Sequence, residues 1–353
     1  MQQGGAMSNA EISVGIIGCG NMGKVHAKEL KQAGARVYGL ADPRLDVAEA
    51  LKQEVGAERV VADGRALIDD PNVDAVVIAT HHDLHVPQAL AAAQAGKHIF
   101  IEKPLALTVA ECEQVVAAVE SAGVKAMCGF QARFSPFCRT LRELVGKPLV
   151  LLATFTDPKW GPTSWANDPK AGGGNVLSQG CHMFDMMCYF AQGEPAVIHA
   201  EGGNFQHPEL PITDSVVATI RFANGVVASA VVGDYGFNPT LGKAAYHLYA
   251  GSKVGALVRY YNEPELQFWG LKPPRITGAD LSPAHLAQAP STDWRSPARL
   301  WLHGYPQQIE AFLKWLANGE RPLDACGIRE AARATRMAVR CIESIQRGET
   351  VRY

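Results

Sequence analysis

The chain has 353 residues, 47% of them hydrophobic and 19% charged, which is enough apolar material for full cores and argues against an intrinsically disordered protein. A net charge of −2 and a pI near 6.6 argue against a nucleic-acid or polybasic membrane surface. The length points to two domains, and no apolar run reaches the ~20 residues of a membrane helix.

Residues 1–10 are small and polar, without the apolar core of a secretory signal, and read as a disordered tail. Ile12 to Ile17 reads as a short buried strand. It runs directly into Gly18-Cys19-Gly20-Asn21-Met22-Gly23, a G-x-G-x-x-G. A helical pattern follows to about residue 33, and a second strand over 36–41 ends at Asp42. In this context the glycines read as a dinucleotide loop. Gly18 makes the tight turn, Gly20 lets the backbone approach a pyrophosphate and Gly23 permits close helix–strand packing. The helix start at Asn21 and Met22 turns its amides toward phosphates. Asp42, 19 residues past Gly23, is placed to accept hydrogen bonds from a ribose. Its charge would repel a 2′-phosphate, so NAD is expected over NADP; Arg44 is the residue that could instead turn toward a phosphate.

Strands at 58–61, 74–79, 98–101 and 125–128 alternate with helices at 45–54, 64–69, 84–95 and 108–122. This alternation predicts a doubly wound parallel sheet, a Rossmann domain over 11–130. Thr80, His81, His82 and His85 follow the fourth strand, where they are expected around the cofactor crevice. Three clustered histidines suggest a metal, but no acid or cysteine set completes a ligand pattern, so no metal is expected. Glu102-Lys103-Pro104 follows the fifth strand. Ligands sit at the carboxyl ends of such strands, so Glu102 and Lys103 are aimed at the crevice, and Pro104 restricts the lysine's backbone.

Beyond residue 130 the rhythm changes. A helix at 135–146 precedes a strand at 149–156, a Pro/Gly/Trp-rich loop at 157–174 and a helix at 175–191. Strands follow at 196–205, 213–222, 226–234, 244–250 and 254–260, with Asn224-Gly225 as a hairpin signal. The Pro- and Ser-rich stretch 270–300 reads as an extended loop, and helices at 302–318 and 324–347 close the chain. The second domain, 131–353, is therefore predicted as α+β with an open, mainly antiparallel sheet, its terminal helices expected to return to the first domain. On the helix over 175–191, Ser178, His182 and Asp185 share one face behind Gly172-Gly173-Gly174. A histidine there suits acid–base work near neutral pH. Trp165 is a candidate to stack on a sugar or to staple its loop, and Arg133 to reach a ligand or form an ion pair. The eight cysteines lack any C-x-x-C pair and read as reduced thiols of a cytoplasmic protein.

Taken together, Gly15 to Gly23, Gly96 to Leu105, the Gly172-Gly173-Gly174 segment leading to His182 and Asp185, and Tyr305 to Pro322 resemble the Gfo/Idh/MocA oxidoreductases, the glucose–fructose oxidoreductase and inositol dehydrogenase family. The likeness covers nearly the whole chain from residue 11. It implies a nicotinamide-dependent dehydrogenase or reductase for a sugar or cyclitol, assembled as a homodimer or homotetramer through the open sheet. On this resemblance Lys103 binds the reacting oxygen and His182 exchanges its proton. Arg133, Trp165, Ser178 and Asp185 are the expected substrate neighbours. The family commonly has Asp where this chain has Ser178, whose hydroxyl can bond a sugar without supplying charge. Two other activities occur among such relatives: NAD-dependent glycoside cleavage through transient oxidation and elimination, and non-catalytic nucleotide-binding regulation.

Overall fold

The computed structural model describes residues 8–236, 240–251, 254–260, 265–272, 275–281, 283 and 293–353. The chain forms two compact units. The first takes the chain up to Ala106, Ala110–Phe130 and Tyr305–Ala332; the second takes Leu107–Val109, Gln131–Gly304 and Arg333–Tyr353.

Six strands build the sheet of the first unit: β1 Ser13–Ile17, β2 Arg36–Ala41, β3 Arg59–Val61, β4 Ala75–Ile78, β5 His98–Ile101 and β6 Ala126–Cys128. All pairs are parallel and the order is β3-β2-β1-β4-β5-β6. The central strands β1 and β4 are buried along their whole length, as expected of parallel strands covered on both faces. Helices α1 Asn21–Gln32, α2 Leu45–Val55, α3 Arg65–Ile68, α4 His85–Gln94 and α5 Val109–Ala122 supply the cover. The strand order reverses between β1 and β4, which opens a ligand crevice at their carboxyl ends. The helix Tyr305–Asn318 belongs to this unit. Its Phe312 meets Phe100 edge-on at 5.6 Å, and Lys125 Nζ donates to its last-turn carbonyls of Trp315 and Leu316 at 2.8 and 2.9 Å. The expected tail is ordered from Ser8 onward. Ser8 and Glu11 close a short 3-10 turn through reciprocal hydrogen bonds; residues 1–7 lie outside the described residues.

In the second unit, α6 Pro136–Val145, α7 Asn175–Ser178 and α8 Gly180–Ala191 accompany nine strands among the described residues. These are β7 Val150–Thr156, β8 Pro195–Gly203, β9 Ser215–Phe222, β10 Val227–Gly233, β11 Ala244–Tyr249, β12 Gly255–Arg259, β13 Glu265–Trp269, β14 Arg275–Thr277 and β15 Val351–Arg352. Their order is β14-β13-β12-β11-β7-β10-β9-β8-β15. Only β7 and β10 pair in parallel; every other neighbour is antiparallel. Strand alternation sends Leu151, Ala153, Phe155, Val216, Ala218 and Val232 into the core with α8, a mainly apolar helix buried along its length that carries His182 and Asp185. The same alternation leaves Val150, Leu152, Val217, Val227, Tyr249 and Trp269 exposed on the other face.

Two expectations change here. The helix over 175–191 is interrupted at Gln179, a single turn residue with φ −112° and ψ −37°, giving α7 and α8. The stretch read as an extended loop carries β14, and β13 precedes it; the alternate burial of Leu266 and Phe268 in β13 is the signal that was available. Residues 273–274, 282 and 284–292 of that stretch lie outside the described residues. Among the described residues no helix is long and apolar enough to cross a membrane.

Candidate active site

In the first unit the glycine loop is shaped by what a side chain would strike. Gly18 has φ +93°, and a Cβ there would lie 2.5 Å from the carbonyl oxygen of Ala79, so β1 and β4 meet at the switch point only through glycine. A Cβ on Gly23 would come 1.9 Å from the Gly18 carbonyl oxygen. Gly20 differs: its Cβ position meets nothing within 4 Å. That opening lies at the start of α1, where Gly20 caps the helix without a side-chain hydrogen bond, so the first-turn amides beside Asn21 and Met22 suit a phosphate.

Asp42, at the end of β2, is nearly buried. Its Oδ2 accepts the Cys19 amide at 2.9 Å and its Oδ1 the Arg44 amide at 2.9 Å, with Arg44 Nε 3.4 Å away. Burial works to raise its pKa, but these amides and the Arg44 charge outweigh it and hold the carboxyl below its usual range. The result is a fixed anion at the edge of the glycine loop, while the Arg44 side chain stays largely in solvent. The residues present therefore fit an NAD: an uncapped helix start over an open glycine for the pyrophosphate, and a carboxylate beside it for the ribose.

The loops after β4 and β5 are joined by His85. Its Nδ1 lies 2.8 Å from the Pro104 carbonyl oxygen and its Nε2 3.3 Å from that of Thr80. The ring is fully buried, and desolvation lowers its pKa against the pull of those carbonyls. His85 was expected beside the cofactor; with both nitrogens turned to backbone it is instead a clamp between two loops. Thr80 Oγ1 donates to Gln88 at 3.0 Å. His81 is exposed, whereas His82 is buried with its ring 5.5 Å from that of His85. Among the described residues no three His, Cys, Asp or Glu side chains are arranged to hold a metal ion. Lys103 follows β5 half-buried, and its peptide bond to Pro104 is cis. Glu102 was also expected at the crevice. Its carboxylate turns inward to His26 at 2.7 Å and to the Lys103 amide at 3.2 Å.

In the second unit His182 sits in the first turn of α8, nearly buried, with its ring stacked on Phe155 of β7 at 5.9 Å and 4° between planes. Asp185, one turn on, forms a two-pronged ion pair with Arg133, with Nε and Nη2 at 2.8 and 2.6 Å from the carboxylate oxygens. Asp185 is 0% and Arg133 4% exposed, so this is a buried ion pair. The interruption at Gln179 puts Ser178 in α7 and His182 in α8; Ser178 is buried and its carbonyl accepts the Cys181 thiol at 3.4 Å. Trp165 lies in a short 3-10 turn and is 39% exposed, which leaves it a face for stacking.

A charged pair that sequence reading missed lies beside Phe155. Asp157, the residue after β7, pairs with Lys243 at 2.8 Å, and Lys243 Nζ is 5.3 Å from the centre of the Phe155 ring. Asp234, after β10, meets His207 at 3.2 Å; its carboxyl is pushed up to about 6 by burial, with Asp157 and Asp214 adding to the rise and His207 opposing it. The signal for Asp157 was the one used for Lys103, a polar residue directly after a buried strand.

Comparison with known proteins agrees with this geometry. The profile described as "Oxidoreductase family, NAD-binding Rossmann fold" matches residues 12–130, and the "GFO/IDH/MocA C-terminal domain" matches 142–238, together more than half of the chain. The chain belongs to the Gfo/Idh/MocA family. It is 34% identical to myo-inositol 2-dehydrogenase of Thermotoga maritima over 61% of this chain and 66% of that relative, so the match spans just under two thirds of it. Inositol 2-dehydrogenase 2 of Paenarthrobacter aurescens is 27% identical over 96% of this chain and 97% of its own length. Among solved structures, a probable dehydrogenase from Thermotoga maritima superposes with a TM-score of 0.78 at 25% identity, covering 97% and 99% of the two chains. A levoglucosan dehydrogenase, determined with NADH and levoglucosan, shares the fold at a TM-score of 0.81 and 24% identity, covering 97% and 99%.

Proposed function

We propose that this oxidoreductase interconverts a hydroxyl and a carbonyl on a sugar, a cyclitol or a close derivative. One observation carries the reading: the glycine loop, Asp42 and Lys103 follow β1, β2 and β5, all at the carboxyl end of one parallel sheet. The curated relatives named inositol 2-dehydrogenase and a levoglucosan dehydrogenase from Pseudarthrobacter phenanthrenivorans support polyols as the substrate class.

Gly18, Gly20, Gly23 and the amides at Asn21 and Met22 would hold the pyrophosphate, and Asp42 the adenosine ribose. The bound nicotinamide supplies the acceptor or donor of hydride. Lys103 places an ammonium on the substrate oxygen and stabilises charge developing there, the kind of term that usually contributes most. His182 accepts the hydroxyl proton in oxidation and returns it in reduction. Phe155 fixes the plane of that imidazole. The Arg133–Asp185 pair holds α8, and so His182, in place, and Trp165 and Ser178 meet the substrate.

An NAD-coupled screen over sugars, cyclitols and sugar acids tests the reading, followed by His182→Ala on the best substrate. Turnover should fall by about 10²–10⁴-fold. Wild-type turnover in the variant would remove His182 from the chemistry.

We also propose that a second copy covers the exposed sheet face of Val150, Leu152, Val217, Val227, Tyr249 and Trp269, giving an even-numbered homo-oligomer. A monomer in light scattering would refute it. The eight buried thiols support a reducing, cytoplasmic setting.

A further inference from the structure

We propose that His26 is a positioning residue for Lys103, acting through the carboxylate of Glu102, so that the phosphate-binding helix and the lysine loop are set as one piece. The inference rests on the assignment of Lys103 to the reacting oxygen.

His26 lies in α1, a turn and a half behind the glycine loop, and is fully buried. Its Nε2 is 2.7 Å from Glu102 Oε1, and Glu102 Oε2 accepts the backbone N–H of Lys103 at 3.2 Å. The two oxygens of one carboxylate thus join α1 to the residue that carries the ammonium. Burial works to raise the pKa of Glu102, but the His26 hydrogen bond and the His26 and Lys103 charges hold it below its usual range, so the carboxylate is the acceptor and Nε2 carries the proton. His26 Nδ1 has no hydrogen-bond partner among the described residues, which leaves Glu102 as the polar contact that justifies burying this ring.

The surroundings prevent the pair from swinging. Phe100 meets the His26 ring edge-on at 4.9 Å, and Tyr305 lies 6.5 Å away. A Cβ on residue 129 would come 2.9 Å from Glu102 Oε1, so Gly129 leaves room for this carboxylate rotamer. On the other side of Lys103, the Pro104 carbonyl is held by His85. The lysine backbone is therefore pinned through both flanking residues, each by a buried histidine. Of the two, only His26 stands on the helix that begins at the phosphates.

The test compares His26→Leu, which keeps apolar bulk and removes the donor, with His26→Gln, which returns an N–H near the Nε2 position. Three quantities are read: NAD⁺ affinity by calorimetry; trace acetylation of Lys103 by acetic anhydride, scored by mass spectrometry against surface lysines; and kcat on the best alcohol from the screen. His26→Leu should lower kcat by about 10–100-fold, as loss of a supporting group typically does. It should also shift Lys103 acetylation by about threefold or more while NAD⁺ affinity moves by less, and His26→Gln should restore most of both. A folded His26→Leu enzyme with wild-type acetylation and kcat overturns the proposal, as does a kcat loss that His26→Gln leaves unrepaired. Should His26→Leu not fold, Glu102→Gln carries the same comparison, and unchanged Lys103 acetylation there also overturns it. Lys103→Met run in parallel keeps the two readings apart. If that variant turns over normally, the catalytic reading of Lys103 falls and the acetylation result alone decides the role of His26.

Discussion

The first unit writes its site in the backbone, whereas the second writes its site in paired side chains. In the first, what matters is where a Cβ is impossible, at Gly18 and Gly23, and where one is tolerated, at Gly20. Its carboxylate at the glycine loop, Asp42, is held by two main-chain amides. In the second, the His182 ring is stacked on Phe155, and Asp185, one turn on, is paired with Arg133. A backbone-built site fails by steric exclusion and is insensitive to charge. One built from buried pairs fails when a partner is removed and responds to pH.

The largest effect is expected in the second unit. Removing the guanidinium takes a two-pronged partner from a buried carboxylate, so Arg133→Met alone should cost about 3–5 kcal/mol of stability in denaturant titration. Arg133→Met combined with Asp185→Leu should recover most of that, because both buried charges of the pair are then gone. Turnover should recover with it if the pair only holds α8. Stability regained with turnover still lost would return both residues to the substrate.

A smaller effect should separate two glycines three residues apart in the same loop. Gly23→Ala must push the Gly18 carbonyl from a 1.9 Å approach, an overpacking that costs about 1–3 kcal/mol and weakens NAD⁺ binding with the fold. Gly20→Ala meets nothing within 4 Å and already has an ordinary φ of −71°, so thermal stability should hold while NAD⁺ affinity falls by about tenfold or more. Equal thermal losses in the two variants would mean that the loop's shape, not access to its backbone, explains Gly20.

This contrast also explains what could be read from the sequence. The six strands and the helices α1–α5 of the first unit were anticipated to within a residue or two, because each signal is local: an apolar run such as Ala75 to Ile78, a glycine turn, an acid at a strand end. The second unit hid its decisive contacts in strand register. Nothing near His182 in the chain announces Phe155, and Asp157 meets Lys243 only because β7 and β11 are neighbours. The break at Gln179 was missed because Val176 to Phe190 keeps a helical apolar pattern through it. His26 and His85 were hidden differently. Each looks like a polar residue at a helix start, and only the folded positions of Glu102 and Pro104 give them work.

The smallest effect concerns pH, and its sign separates Asp42 and Glu102 from Asp234. Asp42 and Glu102 have folded pKa values below the ordinary carboxylate range, so what they contribute is present above that range and is lost only as pH falls through the lowered values. NAD⁺ affinity, to the extent that it depends on Asp42, should stay flat from about pH 5 to pH 9. Asp234 in the second unit runs the other way. Its folded value of about 6 lies above the ordinary 3.8, so its contribution is fully present below pH 3.8 and is lost as pH rises through 6. Asp234→Asn keeps an acceptor for His207 and removes the buried ionisation. The variant should therefore gain stability relative to the parent between pH 4 and pH 7, by about 1–3 kcal/mol in paired denaturant titrations. The same difference at both pH values would show that Asp234 does not ionise against the fold, and that the Asp157–Asp214–Asp234 group is as indifferent to charge as the glycine loop.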